Sequence, residues 1–199
     1  VIDYIRVLMN DKDVEPYWVQ APILLKNATS IGEPFLKCWE EGKEWMREKE
    51  SYAIKENKFG TERFHPLWAN ILRYYFPNEQ ACYIVGMRAE ESPARLTGLG
   101  SGRTYKHITW GAKKHTDQYN FYPLYDWGVN DVWKAIHDNQ WSYCNIYDEF
   151  YRKGVPIRQM RVSNLHHETA IHALFYLQEL EGDTWDKLVM RLKGINQTR

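Results

Sequence analysis

No Cys-x-x-Cys pair, no bilayer-length apolar run and no net charge occur in this sequence. Each absence removes a class of function. The three cysteines, Cys38, Cys82 and Cys144, are widely spaced and odd in number. That pattern argues against a disulfide framework, a zinc ribbon or an iron–sulfur site, and it fits a reducing cytoplasm. Without a membrane-length apolar stretch no spanning helix is expected. Val1 to Met9 lacks the basic region, apolar core and small-residue cleavage site of a signal peptide. With 26 basic against 26 acidic residues there is no broad positive field, so neither direct nucleic-acid binding nor a membrane partner is expected. Repeats and low-complexity tracts are missing as well.

What is present is aromatic and mixed. Nine tryptophans and fourteen tyrosines in 199 residues are consistent with a ring-rich core. The length suits one sizeable domain, or a domain with a helical extension. Val1 to Met9 carries apolar residues at helical spacing, with no capping residue ahead of it, and leads us to expect further chain upstream of Val1. Tyr17–Gln20 reads as a short strand. Ile23–Ser30 is open between an extended segment and a helix start, and Gly32 and Pro34 suggest a loop. The charged stretch Cys38–Asn57 reads as an exposed helix, and Pro66–Tyr75 as a helix ended by Pro77. Ala81–Val85 is short and apolar, as buried parallel strands are. A helix or turn over Glu90–Leu96, a glycine-marked loop at 98–102, and strands at His107–Trp110 and Phe121–Tyr125 follow. Helices are expected over Gly128–Asn139, Ile146–Lys153, Glu168–Gln178 and Thr184–Leu192. Strands alternating with helices and then a run of helices indicate an α/β domain with a helical C-terminal extension.

The most informative stretch is Tyr83-Ile84-Val85-Gly86-Met87-Arg88-Ala89-Glu90-Glu91-Ser92-Pro93-Ala94-Arg95. An apolar run stops at a glycine, and two arginines, a glutamate and a serine follow. Ligands of open parallel sheets sit just beyond the carboxyl ends of the strands. The planar fork of arginine can hold two phosphate oxygens at once. Arg88 and Arg95 would thus hold phosphate or sulfate groups, with Ser92 donating a hydrogen bond. The same spacing also allows a plain ion pair between Glu91 and Arg95 at i and i+4, and the residues leave both readings open. Lys106, His107, Lys113, Lys114 and His115 form a basic cluster, either a solvated face or the positive wall of an anion cleft opposite Arg88 and Arg95.

Two tempting motifs fail on spacing. Gly98-Leu99-Gly100-Ser101-Gly102-Arg103 carries arginine where a dinucleotide fingerprint needs glycine, and it lacks the lysine of a Walker loop, so it reads as a linker or lid. His167 and His172 flank Glu168 at i and i+5, leaving their rings roughly 140° apart on a helix. No zinc site is expected there, and no metal elsewhere.

Two segments in order, Val85–Arg95 and Phe121-Tyr122-Pro123-Leu124-Tyr125-Asp126-Trp127-Gly128-Val129-Asn130-Asp131-Val132-Trp133, the latter followed by Tyr143–Tyr147, resemble the phosphoadenosine phosphosulfate (PAPS) reductase family. That family belongs to the adenine-nucleotide α-hydrolase-like, or PP-loop, superfamily. The tail, with Met160-Arg161-Val162 and Thr184-Trp185, resembles a sulfotransferase-like branch that includes proteins called immunoglobulin-binding regulators, with bacterial and phage members. The resemblance implies a twisted, mainly parallel, Rossmann-like sheet over residues 1–151 and a helical extension over 152–199. It further implies ATP or PAPS as the nucleotide ligand, with no permanently bound cofactor. Arg88, Glu91, Ser92 and Arg95 would line the phosphate or sulfate end; Lys113 and Lys114 join the candidate substrate-binding residues from the basic cluster, not from the resemblance. Asp126, Trp127, Asp131 and Trp133 would be architectural: a strand end, a helix cap and a packing anchor. The activity implied is sulfur or adenylyl transfer. The alternatives are a non-catalytic regulatory or interaction module, or the sulfur-transfer component of a DNA-modification system with a separate DNA-binding subunit. The family's pyrophosphate loop, of the type Ser-Gly-Gly-Lys-Asp-Ser, is expected upstream of Val1. No cysteine follows Cys144, so thiol-based reduction has no candidate nucleophile at the family's place.

Overall fold

Helices dominate the fold and the strands are short. A computed structural model describes residues 1–100, 105, 106, 108, 110–160, 164–168, 171–192 and 195. In chain order the elements are α1 (Ile2–Met9), β1 (Ile23–Lys26), β2 (Phe35–Cys38), α2 (Phe64–Tyr75), β3 (Ala81–Ile84), α3 (Pro93–Gly100), β4 (Gly111–Lys113), β5 (Gln118–Phe121), α4 (Val129–Asp138), α5 (Ile146–Arg152), α6 (Ile171–Leu180) and α7 (Gly182–Arg191). Short 3-10 turns lie at Ala89–Glu91 and Ile157–Gln159. The α/β class expected from the sequence holds. Among the described residues no helix is long and apolar enough to cross a membrane. The chain divides into two compact units, Val1–Leu67 with Cys144–Arg199, and Trp68–Tyr143.

The first unit holds an apolar cluster built on β2, α6 and α7. Strands β1 and β2 pair antiparallel, Ile23 with Cys38 through Lys26 with Phe35. Leu36 of β2 packs into a cluster with Leu174 and Leu177 of α6, Trp185 and Leu188 of α7, Leu192 and Ile195. His166 fastens the edge of this cluster. Its Nδ1 donates to the Lys26 carbonyl at 2.7 Å, and its own carbonyl accepts the Ala28 N–H at 2.8 Å. Burial pushes the His166 imidazole below its ordinary value, so the folded state holds it neutral. The unfolded chain takes up a proton as pH falls through about 6.5, while the folded chain resists until lower pH. Stability therefore drops on acidification across that window. A His166→Asn variant, which keeps an N–H donor and does not titrate, is expected to show a shallower fall in Tm between pH 7 and pH 5.

The structure corrects several expectations in this unit. The stretch 38–57 is not a helix. Trp39 and Gly42 take positive φ of 43° and 72°, which break helical continuation. Its backbone bonds elsewhere: the Gln20 side chain accepts the Glu50 N–H at 2.5 Å, and Ile54 N–H donates to the Trp18 carbonyl at 2.8 Å. Tyr17–Gln20 contributes only an isolated parallel bridge, Val19 with Ile54. The loop expected around Gly32 and Pro34 is present, and strand β2 follows it directly from Phe35. Helix α6 begins at Ile171, and residues 161, 162, 169 and 170 of the expected tail features lie outside the described residues.

In the second unit the strand order is β3-β5-β4. β3 and β5 run parallel, Ala81 opposite Gln118 and Ile84 opposite Phe121, whereas β4 and β5 are antiparallel. Chain connectivity explains both. Only four residues join β4 to β5, so they can only form a hairpin, while β3 reaches β5 through α3 and β4. The parallel pairing expected of the sheet is thus present in one strand pair. Among the described residues β3 has a single strand neighbour, and its side chains alternate between half-buried and exposed; it is not the fully buried strand its composition suggested. β5 ends at Phe121, because Pro123 opens a turn closed by the Tyr125 N–H on the Tyr122 carbonyl at 3.1 Å. Of the expected strand 107–110, residues 107 and 109 lie outside the described residues, and the strand that forms, β4, starts at Gly111. A side chain at Gly111 would put its Cβ 2.7 Å from the Phe121 ring, so the hairpin needs glycine there. Gly98 and Gly100 belong to α3, and 101–103 of the expected linker or lid lie outside the described residues. Gln118, which is buried, donates to the Ala69 carbonyl at 3.0 Å, and Arg73 clamps Asp117 with two bonds of 2.8 and 2.9 Å. That fork holds the Asp117 carboxyl down to about 2.

Candidate functional site

The segments that leave β3 and β5 come together at the carboxyl ends of this parallel pair. Val85 N–H donates to the Phe121 carbonyl at 2.8 Å, extending the ladder by one rung. Ala89 N–H then donates to the Tyr125 carbonyl at 2.8 Å, joining the two loops. Between these bonds the chain sets Arg88 at the base of the turn Ala89–Glu91, with only 16% of its side chain exposed.

Arg88 is the hub. Its Nη1 donates to Glu90 Oε2 at 3.0 Å and to the Trp127 carbonyl at 3.3 Å, and its Nε lies 3.5 Å from Glu91 Oε1. The other oxygen of Glu91 pairs with Arg95 on α3. Glu91 therefore stands between two guanidinium groups. With Glu90 included, the cluster holds two positive and two negative side chains. The Glu91–Arg95 ion pair that the spacing allows is formed, and Arg88 lies against the same carboxylate.

Ser92 is the N-terminal cap of α3. Its Oγ accepts the Arg95 N–H at 3.2 Å, in extended backbone at φ −171°. On the facing loop, Asp131 Oδ2 accepts the Gly128 N–H at 2.7 Å and Glu90 Oε2 accepts the Val129 N–H at 2.6 Å. Two carboxylates thus serve the amino end of α4, where the helix dipole favours negative charge. Asp131→Ala removes the local one of these and is expected to cost about 1 kcal/mol, read as a lower urea midpoint. Trp133 packs edge-on against Tyr143 with ring centres 5.2 Å apart, and Trp127 supplies its carbonyl to Arg88. Asp126 lies in the turn after β5.

Lys113 and Lys114 do not join this group. Lys113 pairs with Tyr119 near the start of β5, and Lys114 N–H closes the hairpin on the Gln118 carbonyl at 2.9 Å. Antiparallel pairing carries both lysines to the end of β5 away from Arg88. Sequence reasoning also passed over Glu90, which touches Arg88 and α4 together. The only local signal was an acid two residues from Arg88 in the same run.

Residues 40–153 match the phosphoadenosine phosphosulfate reductase domain family. The chain belongs to that family. The matched region contains every residue of the Arg88 cluster and the α4 start. A relative in Escherichia coli (strain K12), the uncharacterized protein YbdN, is 28% identical over 204 residues, covering 98% of this chain. The chain spans about half, 50%, of the length of that curated relative. No solved structure matches.

Two of the three thiols, Cys38 and Cys82, are disfavoured as thiolates. Burial pushes Cys38 up to about 12, so it stays protonated at neutral pH. Cys82 is exposed on β3, and partial desolvation shifts its thiol up as well. Among the described residues no cluster of three or more His, Cys, Asp or Glu could hold a metal ion.

Proposed function

We propose that this chain binds an adenine nucleotide bearing a phosphate or sulfate group, ATP or PAPS, beyond the carboxyl ends of β3 and β5, and that it serves sulfur or adenylyl transfer. The observation that carries the reading is the meeting of Arg88 and Arg95 around one carboxylate, at the ends of the only parallel strand pair among the described residues, inside the matched family region. The family match further supports an adenine-nucleotide α-hydrolase-like sheet. In this reading Arg88 is the fixed cation, because the Trp127 carbonyl and Glu90 hold it in place. Arg95 is the second, more exposed cation on α3. Both would stabilise negative charge that develops on a phosphate or sulfate leaving group. Ser92 sets the first turn of α3 and thereby aims Arg95. Lys113 and Lys114 have no part in this seat, and the chemistry needs no thiol of the chain.

Calorimetric titration with ATP, PAPS and adenosine 3′,5′-bisphosphate tests the reading. Binding to the unaltered chain that weakens in both Arg88→Ala and Arg95→Ala is the expected result. Failure of all three ligands to bind would favour a second reading, a regulatory or interaction module on the same fold. One observation already speaks for that alternative: both arginines are charge-compensated by Glu90 and Glu91.

A further inference from the structure

Glu91 stands between the Arg88 and Arg95 guanidinium groups. One of its oxygens faces Arg88 Nε at 3.5 Å and the other forms an ion pair with Arg95. Its side chain is 19% exposed, so the contact is sheltered yet still reachable from solvent. A carboxylate and one edge of a tetrahedral phosphate or sulfate present a similar feature to a pair of guanidinium groups: two neighbouring oxygens that carry shared negative charge. We propose that Glu91 is an internal stand-in for the oxyanion, an autoinhibitory contact that a phosphate- or sulfate-bearing ligand must displace before it can occupy the Arg88–Arg95 seat. The inference rests on the nucleotide reading of these two arginines.

The surroundings suit an exchange of one anion for another. Arg88 does not depend on Glu91 for its position, since Glu90 Oε2 at 3.0 Å and the Trp127 carbonyl at 3.3 Å hold it from the other side. Arg95 is carried by α3, whose first turn is fixed by Ser92 Oγ. Glu91 itself ends the Ala89–Glu91 turn and is separated from α3 by the extended residue Ser92. Rotation about its side-chain bonds is enough to release both guanidinium groups without moving either helix. While Glu91 is in place an incoming anion meets a compensated site and gains little. Once it has swung away, the ligand faces two guanidinium groups with only Glu90 left beside Arg88, so the seat gains one net positive charge.

The test uses the full chain and two probes, inorganic sulfate and adenosine 3′,5′-bisphosphate. Glu91→Gln and Glu91→Ala are compared with the unaltered chain by calorimetry, with circular dichroism to verify folding. Asp138→Asn, which removes one negative charge at the far end of α4, about 15 Å along that helix from its start, controls for net charge alone. The expected result is affinity raised about five- to tenfold for both probes in both Glu91 variants, with Asp138→Asn unchanged. Unchanged or weakened binding in the Glu91 variants, with binding still lost in Arg88→Ala and Arg95→Ala, would overturn the inference and leave the nucleotide reading intact. An equal gain in Asp138→Asn would also overturn it. Binding that no arginine variant alters, or no binding by any variant, would overturn both.

Discussion

Leu188→Ala is expected to destabilise the protein by about 2–5 kcal/mol, the range for emptying a fully packed leucine site. Leu188 is completely buried, at 0% exposure, on the inner face of α7. Around it lie Trp185 and Leu192 of the same segment, Leu174 and Leu177 of α6, and Leu36 of β2. Truncation removes the transfer energy of the lost methyl groups and leaves a cavity that rigid neighbours such as Trp185 cannot readily fill. Met190, two residues on, is 70% exposed. Met190→Ala on the same helix is expected to stay within about 0.5 kcal/mol of the unaltered chain. Urea unfolding followed by circular dichroism measures both. A cost for Met190→Ala equal to that of Leu188→Ala would show that α7 does not pack by the face described.

The second large effect concerns binding. Arg88→Ala is expected to lower affinity for adenosine 3′,5′-bisphosphate about 10- to 100-fold, which corresponds to the loss of one or two charged hydrogen bonds of about 1.5–3 kcal/mol each, partly offset by solvent. Arg95 is more exposed, 36% against 16% for Arg88, so Arg95→Ala should cost less. Arg88→Lys separates charge from shape. Lysine keeps the positive charge but cannot reach the Trp127 carbonyl and the ligand with a planar fork. Its affinity is expected to fall between those of the unaltered chain and Arg88→Ala. The same titrations on the unaltered chain decide between the nucleotide-binding and interaction-module readings.

How much of the molecule can be read from residues alone depends on how local the cause is. Ala81–Val85 was legible as a strand because a short apolar run bounded by Pro77 and Gly86 has few other outcomes. The start of α4 was legible because Gly128 and Asp131 are three apart, and the Asp131 carboxylate caps the Gly128 N–H. The Arg88–Arg95 stretch was legible for the same reason, since i, i+3 and i+4 neighbours meet on one short turn. Features that depend on distant partners were not. Strand β2 is four residues whose pairing is set by β1. The path of 38–57 follows from Gln20, thirty residues before Glu50 in the chain. Glu90 gains its meaning from Val129, 39 positions away. Lys113 and Lys114 look near the arginines as part of a basic sequence cluster, yet hairpin pairing sends them to the opposite strand end. Composition likewise suggested a buried β3, whereas among the described residues β5 is the one strand beside it.

The proposed activity stands or falls on an anionic nucleotide held by the loops beyond β3 and β5. A nuclear magnetic resonance titration of the labelled chain with adenosine 3′,5′-bisphosphate, following backbone amides and arginine Nε–H signals, reads those loops residue by residue. The largest shifts are expected on Arg88 through Arg95 and on Trp127 through Val129, with the Arg88 and Arg95 side-chain signals moving together. Shifts confined to the Lys113–Lys114 hairpin, or absent from both arginines at saturating ligand, would contradict it.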